Sequence, residues 1–269
     1  VQITLPTDVA MPEGGLNIRW PDEFLVQEER LHRYKLGAAL AFARANRLDK
    51  TVIDSPKKRL GIVTTGKSYL DVRQALDDLG ITEEMAVDVG ISIYKVAMSW
   101  PLEREGVREF AEGMEEILVV EEKRALMEDQ LKEQMYHWRA DVRPRVVGKF
   151  DENGEWMLSS SGELSPGQIA SVIARRLSRW HSSNAIAERL SFLERKEASL
   201  AQQPPSAKRI PYFCSGCPHN TSTKVPEGSR ALAGIGCHFM SLWMDRDTQT
   251  FTHMGGEGVT WVGQAPFSN

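Results

Sequence analysis

All three cysteines of this 269-residue chain fall in its last quarter, in Cys214-Ser-Gly-Cys217-Pro-His219 and Gly234-Ile-Gly-Cys237-His238, with Met254-Gly-Gly-Glu-Gly258 close behind. A C-x-x-C pair curls a turn that lets two soft thiolates reach one centre, so the spacing points to zinc, an iron–sulfur cluster or a redox dithiol. Three cysteines cannot close a four-thiolate site; His219 or His238 would complete a zinc site without help. An odd, small and clustered set of cysteines also argues against a disulfide framework and for reduced thiolates used in chemistry. The glycines after Met254 supply backbone freedom where a cofactor could approach closely, and taken alone they are a loop.

A second constellation competes for attention. Gly61-Ile-Val-Thr-Thr-Gly66-Lys67-Ser68 fits the phosphate-loop pattern G-x-x-x-x-G-K-S letter for letter, and Ile117-Leu-Val-Val-Glu121-Glu122 imitates the acidic strand that often accompanies it. A working phosphate loop needs an apolar strand before its first glycine, so that the intervening N–H groups face the phosphates. Here Pro56-Lys-Lys-Arg59 precedes the motif, and the β-branched Ile62 and Val63 read as the strand itself. The expectation is a strand, a turn at Gly66 and a helix capped by Ser68, with Lys67 bound to no nucleotide.

The elements that must position these residues alternate in type. Pro21 to Asn46 has the apolar spacing of one long amphipathic helix, with Pro21 in its first turn. Beyond the break at Asp54-Ser-Pro56, the pattern predicts strands at Leu60–Thr64, Ile91–Val96 and Ile117–Val120. Helices are predicted at Ser68–Leu79, closed by Gly80, at Leu102–Met114, weakened by Gly106, and at Met127–His137. Short apolar strands alternating with amphipathic helices imply a parallel sheet covered on both faces. Arg139 to Pro166 reads as an extended or hairpin connection around Trp156–Leu158; helices follow from Pro166 and over Ala185–Leu200, then a linker at Gln202–Ser206.

Composition bounds the function. Thirty-three basic and 37 acidic residues are interspersed, for a net charge of −4, which leaves no basic stripe for nucleic acid. No apolar run approaches the ~18 residues needed to cross a bilayer, and the reading is a cytoplasmic protein with no membrane partner. The chain opens on Val1 and stops after Gln264-Ala-Pro-Phe-Ser-Asn269 with no end signal, the expectation for an internal piece of a longer polypeptide.

The phrase from Tyr212 to Phe267 resembles the start of the thiamine-diphosphate-binding domain of 2-oxoacid:ferredoxin oxidoreductases, and within them the indolepyruvate ferredoxin oxidoreductases. Phe213-Cys-Ser-Gly-Cys-Pro-His-Asn220, Gly234-Ile-Gly-Cys-His-Phe239 and the Met254 glycine run carry it, in the family's order. Leu60 to Tyr136 resembles the family's transketolase C-terminal-like domain. The resemblance implies an α/β fold in four parts. These are a helical connector over 1–55, a parallel-sheet transketolase C-terminal-like domain over 56–145, a linker with helices over 146–206, and the start of a thiamine-diphosphate-binding α/β domain over 207–269.

It further implies that Cys214, Cys217 and Cys237 are ligands of a [4Fe-4S] cluster. His219, Gly236, His238, His253, Met254, Gly255, Gly256 and Glu257 would border thiamine diphosphate and its Mg2+. The implied reaction is oxidative decarboxylation of an aryl or related 2-oxo acid, with electrons passed through the cluster to ferredoxin and the acyl group taken by coenzyme A. The partners implied are the remaining domains of the parent chain and a second copy in a homo-oligomer. The family's diphosphate-binding G-D-G, its activating Glu and a fourth cluster ligand do not occur in the chain, so the segment alone is expected to be inactive. A zinc-binding interaction module or a phosphate-loop nucleotide-binding domain are the readings from other classes.

Overall fold

In the computed structural model, which describes residues 2–17, 23–201 and 209–268, the apolar run Leu60-Gly-Ile-Val-Thr-Thr65 is strand β2, buried from Leu60 through Thr64. Such a run can be buried on both sides only at the centre of a covered sheet. The sheet has five strands in the order β1-β3-β2-β4-β5, with β1 at Lys50–Ile53, β3 at Ile91–Val96, β4 at Glu116–Val120 and β5 at Arg145–Val147. β2 pairs in parallel with β3 and β4, and β4 with β5; β1 closes one edge antiparallel to β3. The expected α/β class with a mainly parallel sheet is present.

The alternation of side chains along each strand divides the core in two. Leu60, Ile62, Ile91, Ile93, Leu118 and Val120 face helices α3 (Gly66–Asp78), α4 (Glu83–Val89) and α7 (Pro166–Leu177). Val63, Tyr94, Val96, Ile117 and Val119 face α5 (Arg104–Ala111) and α6 (Leu126–Met135). Each fully buried aliphatic side chain contributes about 1.5–3 kcal/mol, so these two layers dominate the stability of the sheet domain.

Several expectations are corrected in detail. The segment before the sheet is α1 (Phe24–Arg30) and α2 (Leu36–Ala45) joined by a π-helical turn at Leu31–Lys35, with Pro21 outside the described residues. Ser68 is buried in α3 and does not cap it; Thr65 holds that position, and its hydroxyl donates to the Val96 carbonyl at 2.8 Å. The sheet domain outgrows the 56–145 span, because β1 lies in the expected connector while β5 and α7 lie in or at the start of the expected linker. α7 begins with a capping box in which Ser165 and Gln168 exchange hydrogen bonds, and its apolar stripe completes one core layer. α8 (Asn184–Ala201) follows, and the expected linker at 202–206 lies outside the described residues. Between β5 and α7 the chain makes the expected hairpin, with Phe150 bridged antiparallel to Trp156.

A buried ion cluster ties α7 to the sheet. Glu116, fully buried at the start of β4, accepts two hydrogen bonds of 2.5 Å from Arg176, and Arg145 and Arg179 also pair with it. Glu152 bridges Arg176 and Arg179 from the other side.

Chain packing divides the protein into residues 1–202 and 203–269. In the second unit α9 is the single turn His219–Ser222, β6 (Ala231–Ala233) pairs in parallel with β7 (Thr248–Phe251), a 3-10 helix spans Gly236–Trp243 and α10 spans Val259–Gln264. Among the described residues no helix is long and apolar enough to cross a membrane.

Candidate functional site

In open α/β sheets, ligands bind beyond the carboxyl ends of adjacent strands whose following helices leave to opposite faces. Here those strands are β2, followed by α3 on one face, and β4, followed by α6 on the other. The crevice is filled by the protein itself. Lys67 pairs with Asp71 at 2.7 Å, Glu163 at 3.1 Å and Glu122 at 3.6 Å, and donates to the Leu164 carbonyl. The Asp71 hydrogen bond, with Glu163 adding, holds the Lys67 ammonium above the ordinary lysine range. Beside it the buried Glu121 accepts the N–H groups of Leu126, Met127 and Glu128 at the start of α6, while the buried Lys149 donates to the Glu121 and Ser159 carbonyls. Burial pushes the Glu121 carboxyl up and the Lys149 ammonium down, as expected of charges held out of water.

The phosphate-loop reading therefore fails on its strand and on its charge. Gly61 to Thr64 pair with both neighbouring strands, so their N–H groups are not gathered around an anion. Lys67 already faces three carboxylates, which would repel a phosphate.

The second unit gathers most of the chemistry-bearing side chains. A hydrogen bond from the Cys217 N–H to the Cys214 carbonyl, 3.0 Å, closes the C-x-x-C turn; Gly216, at φ +75°, permits it, and Asn220 Nδ2 ties the same carbonyl at 2.9 Å. Pro218 then starts α9, which carries His219 over the buried Phe213 with ring centroids 5.2 Å apart. His219 in turn stacks on His238 at 5.9 Å, and its Nδ1 lies 3.2 Å from Cys217 Sγ.

His238 is fixed by the Gly234 N–H, which donates to its Nδ1 at 2.9 Å and so leaves the proton of the neutral ring on Nε2. A side chain at Gly234 would meet His238 Nδ1 at 3.1 Å and Glu257 Cγ at 3.3 Å, which explains a glycine between them. The Glu257 carboxylate turns back to accept the Gly255 N–H at 2.9 Å.

The fold thus brings Cys217, His219, His238 and Glu257 toward one another around Gly234. His253 packs on Gly256 within its own loop, Met254 is exposed, and Gly236 supplies a turn at φ +79° into the 3-10 helix. Cys214 and Cys237 are exposed, and all three thiols are free. Among the described residues, no group of three or more His, Cys, Asp or Glu side chains is arranged to hold a metal ion. The donor set for a cluster or for zinc is therefore not assembled in this conformation. Phe213 escaped the reading of site residues, although an aromatic directly before a C-x-x-C turn marks a stacking partner.

The model of the indolepyruvate ferredoxin oxidoreductase middle domain matches residues 49–203. The chain belongs to the indolepyruvate ferredoxin oxidoreductase family. Within it, the IorA subunit of the Archaeoglobus fulgidus indolepyruvate oxidoreductase is 25% identical over 243 residues, covering 88% of this chain and 33% of that subunit. The Thermococcus kodakarensis subunit is 26% identical over 189 residues, 68% of this chain and 26% of its own length. The chain spans about a quarter to a third of these relatives. Among solved structures, a 2-oxoglutarate:ferredoxin oxidoreductase from Magnetococcus marinus overlaps 58% of this chain and 24% of its own, at 15% identity and TM-score 0.38. A split-gene transketolase overlaps 53% of this chain and 42% of its own, at 17% identity and TM-score 0.31.

Proposed function

We propose that the protein containing this chain oxidatively decarboxylates an aryl or related 2-oxo acid, delivering the acyl group to coenzyme A and the electrons to ferredoxin. Membership of the indolepyruvate ferredoxin oxidoreductase family carries this reading. When bound, thiamine diphosphate with Mg2+ supplies the nucleophilic carbon and the electron sink that loss of carbon dioxide requires. Residues 1–202 serve as a rigid support in this reading, because the crevice where such a sheet would hold a ligand is filled by Lys67 and its carboxylates.

The second unit would border the cofactor through Gly236, His219, His238 and the 253–257 loop. His238, held at Nδ1 by Gly234, presents its Nε2 proton as a donor to an oxygen of the 2-oxo acid. His219, wedged between Phe213 and His238, keeps that ring from turning. Remaining domains of the protein and a second copy would complete the site, in the cytoplasm.

The experiment compares the chain 1–269 with the longer protein in indolepyruvate-dependent reduction of a viologen dye, with thiamine diphosphate, Mg2+ and coenzyme A supplied to both. Turnover is expected from the longer protein alone. No turnover from it with any aryl 2-oxo acid overturns the reading of the reaction, and equal turnover by the chain overturns the division of labour.

A further inference from the structure

A cavity of about 530 Å3 lies between α2, β1 and α5 in the sheet domain. Its floor is the ring pair Tyr94 and Phe110, with centroids 5.2 Å apart. Tyr94 is only 3% exposed, yet among the described residues its hydroxyl has no hydrogen-bond partner and lies against Gly106, where a Cβ would stand 2.5 Å away.

On the same cavity Asp49 spends one carboxylate oxygen on the N–H groups of Ala97 and Met98, at 2.7 and 3.2 Å. Its other oxygen, Oδ2, is buried without a hydrogen-bond partner. Glu103, also lining the cavity, is satisfied by Arg44 and by the N–H groups of Glu105 and Gly106. Glu109 lines it too, with no ion-pair partner among the described residues. The open hydrogen-bonding capacity is thus one carboxylate oxygen and one phenol hydroxyl over an aromatic floor, with Glu109 adding negative charge.

That combination suits an organic cation better than a metal ion. An ammonium donates to Asp49 Oδ2 and to the Tyr94 oxygen while its carbon substituents rest on the rings, and aromatic faces attract cations. A metal ion would need three or more closely placed ligands, and no such group occurs among the described residues. Arg47 and Lys50 at the rim pair with no carboxylate among the described residues and suit an acid group on the same ligand. We propose that this cavity binds a small molecule bearing a protonated primary amine, with its ammonium on Asp49 and Tyr94.

The test titrates the 15N-labelled chain with ethylammonium, L-alanine and L-phenylalanine, and with propionate and propanol as controls lacking the amine. The amide resonances of Ala97 and Met98 report directly on Asp49. Saturable shifts of both are expected with at least one ammonium probe and with neither control. Tighter binding of the amino acids than of ethylammonium would assign the acid group to Arg47 and Lys50. Asp49→Asn should weaken binding at least tenfold and Tyr94→Phe several-fold. If Asp49→Asn does not fold, Tyr94→Phe and Glu109→Gln decide. The inference is overturned if no ammonium probe saturates, if propionate or propanol gives the same shifts, if Mg2+ alone occupies the site, or if binding is unchanged in the variants that fold.

Discussion

Gly61 shows how a single residue separates two readings of one motif. In a phosphate loop it would shape the turn; here it lies in β2, and a Cβ would stand 2.9 Å from the ring of Phe110. Gly61→Ala is therefore expected to destabilise the chain by about 1–3 kcal/mol through overpacking, read as a lower midpoint in urea. Calorimetric titration with Mg-ATP should give no saturable heat with either form. Lys67→Met should lower the melting temperature at neutral pH by leaving Asp71, Glu122 and Glu163 facing one another without their shared cation. A melting temperature unchanged by Lys67→Met would show that those pairs are too well solvated to matter. Ile62 and Val63 made the strand legible in the sequence, since two adjacent β-branched residues favour extended, paired backbone. The unpartnered oxygen of Asp49 was not legible, because it depends on Ala97 and Met98 reaching the residue from the segment that follows β3.

At the scale of elements, the long apolar runs of β2, β3 and β4 were readable with bounds correct to within a residue, since central strands are apolar on both faces. β1 escaped because an edge strand buries little: Lys50 and Thr51 are exposed, Val52 is half-buried, and only Ile53 is fully buried. β5 has three residues, too few to show a period, and exists because β4 offers it a partner. α4 was hidden for a similar reason, as seven residues from Glu83 to Val89 carry little periodicity. The C-x-x-C turn was plain, whereas the stacking of Phe213, His219 and His238 arises from packing across 25 residues. The Glu116–Arg176 pair is the element-scale counterpart of a core contact. Arg176→Met is expected to cost about 3–5 kcal/mol, because it strands a buried carboxylate, and Glu116→Leu in the same chain should recover much of that loss. Equilibrium denaturation of the two single variants and the double variant measures the coupling. Additive losses would show that Arg145 and Arg179 suffice.

For the whole molecule, the same cluster sets a pH response. Hydrogen bonding from Arg179, with Arg176 adding, draws the Glu152 carboxyl down from an ordinary 4.5 to about 2. A carboxyl lowered in the folded state gives stability that is complete above pH 4.5 and is lost as the pH falls toward 2. Glu152→Gln should flatten that part of the stability curve while leaving the shape above pH 5 unaltered. An acid limb as steep in the variant as in the parent would place the response elsewhere.

Docking of α7 also decides what can be cut out and moved. Glu116 lies 60 residues before Arg176, so ribosomal synthesis buries the acid only after its counter-charge has emerged. A fragment ending at residue 145 would lose the α7 side chains from the core layer that holds Ile62, Leu118 and Val120, with Glu116 stripped of Arg176 and Arg179. The transferable module is therefore 49–203, the span of the family match, and not the strand-rich portion alone. Expressed separately, the longer fragment should melt cooperatively, and the shorter one should precipitate or bind hydrophobic dyes.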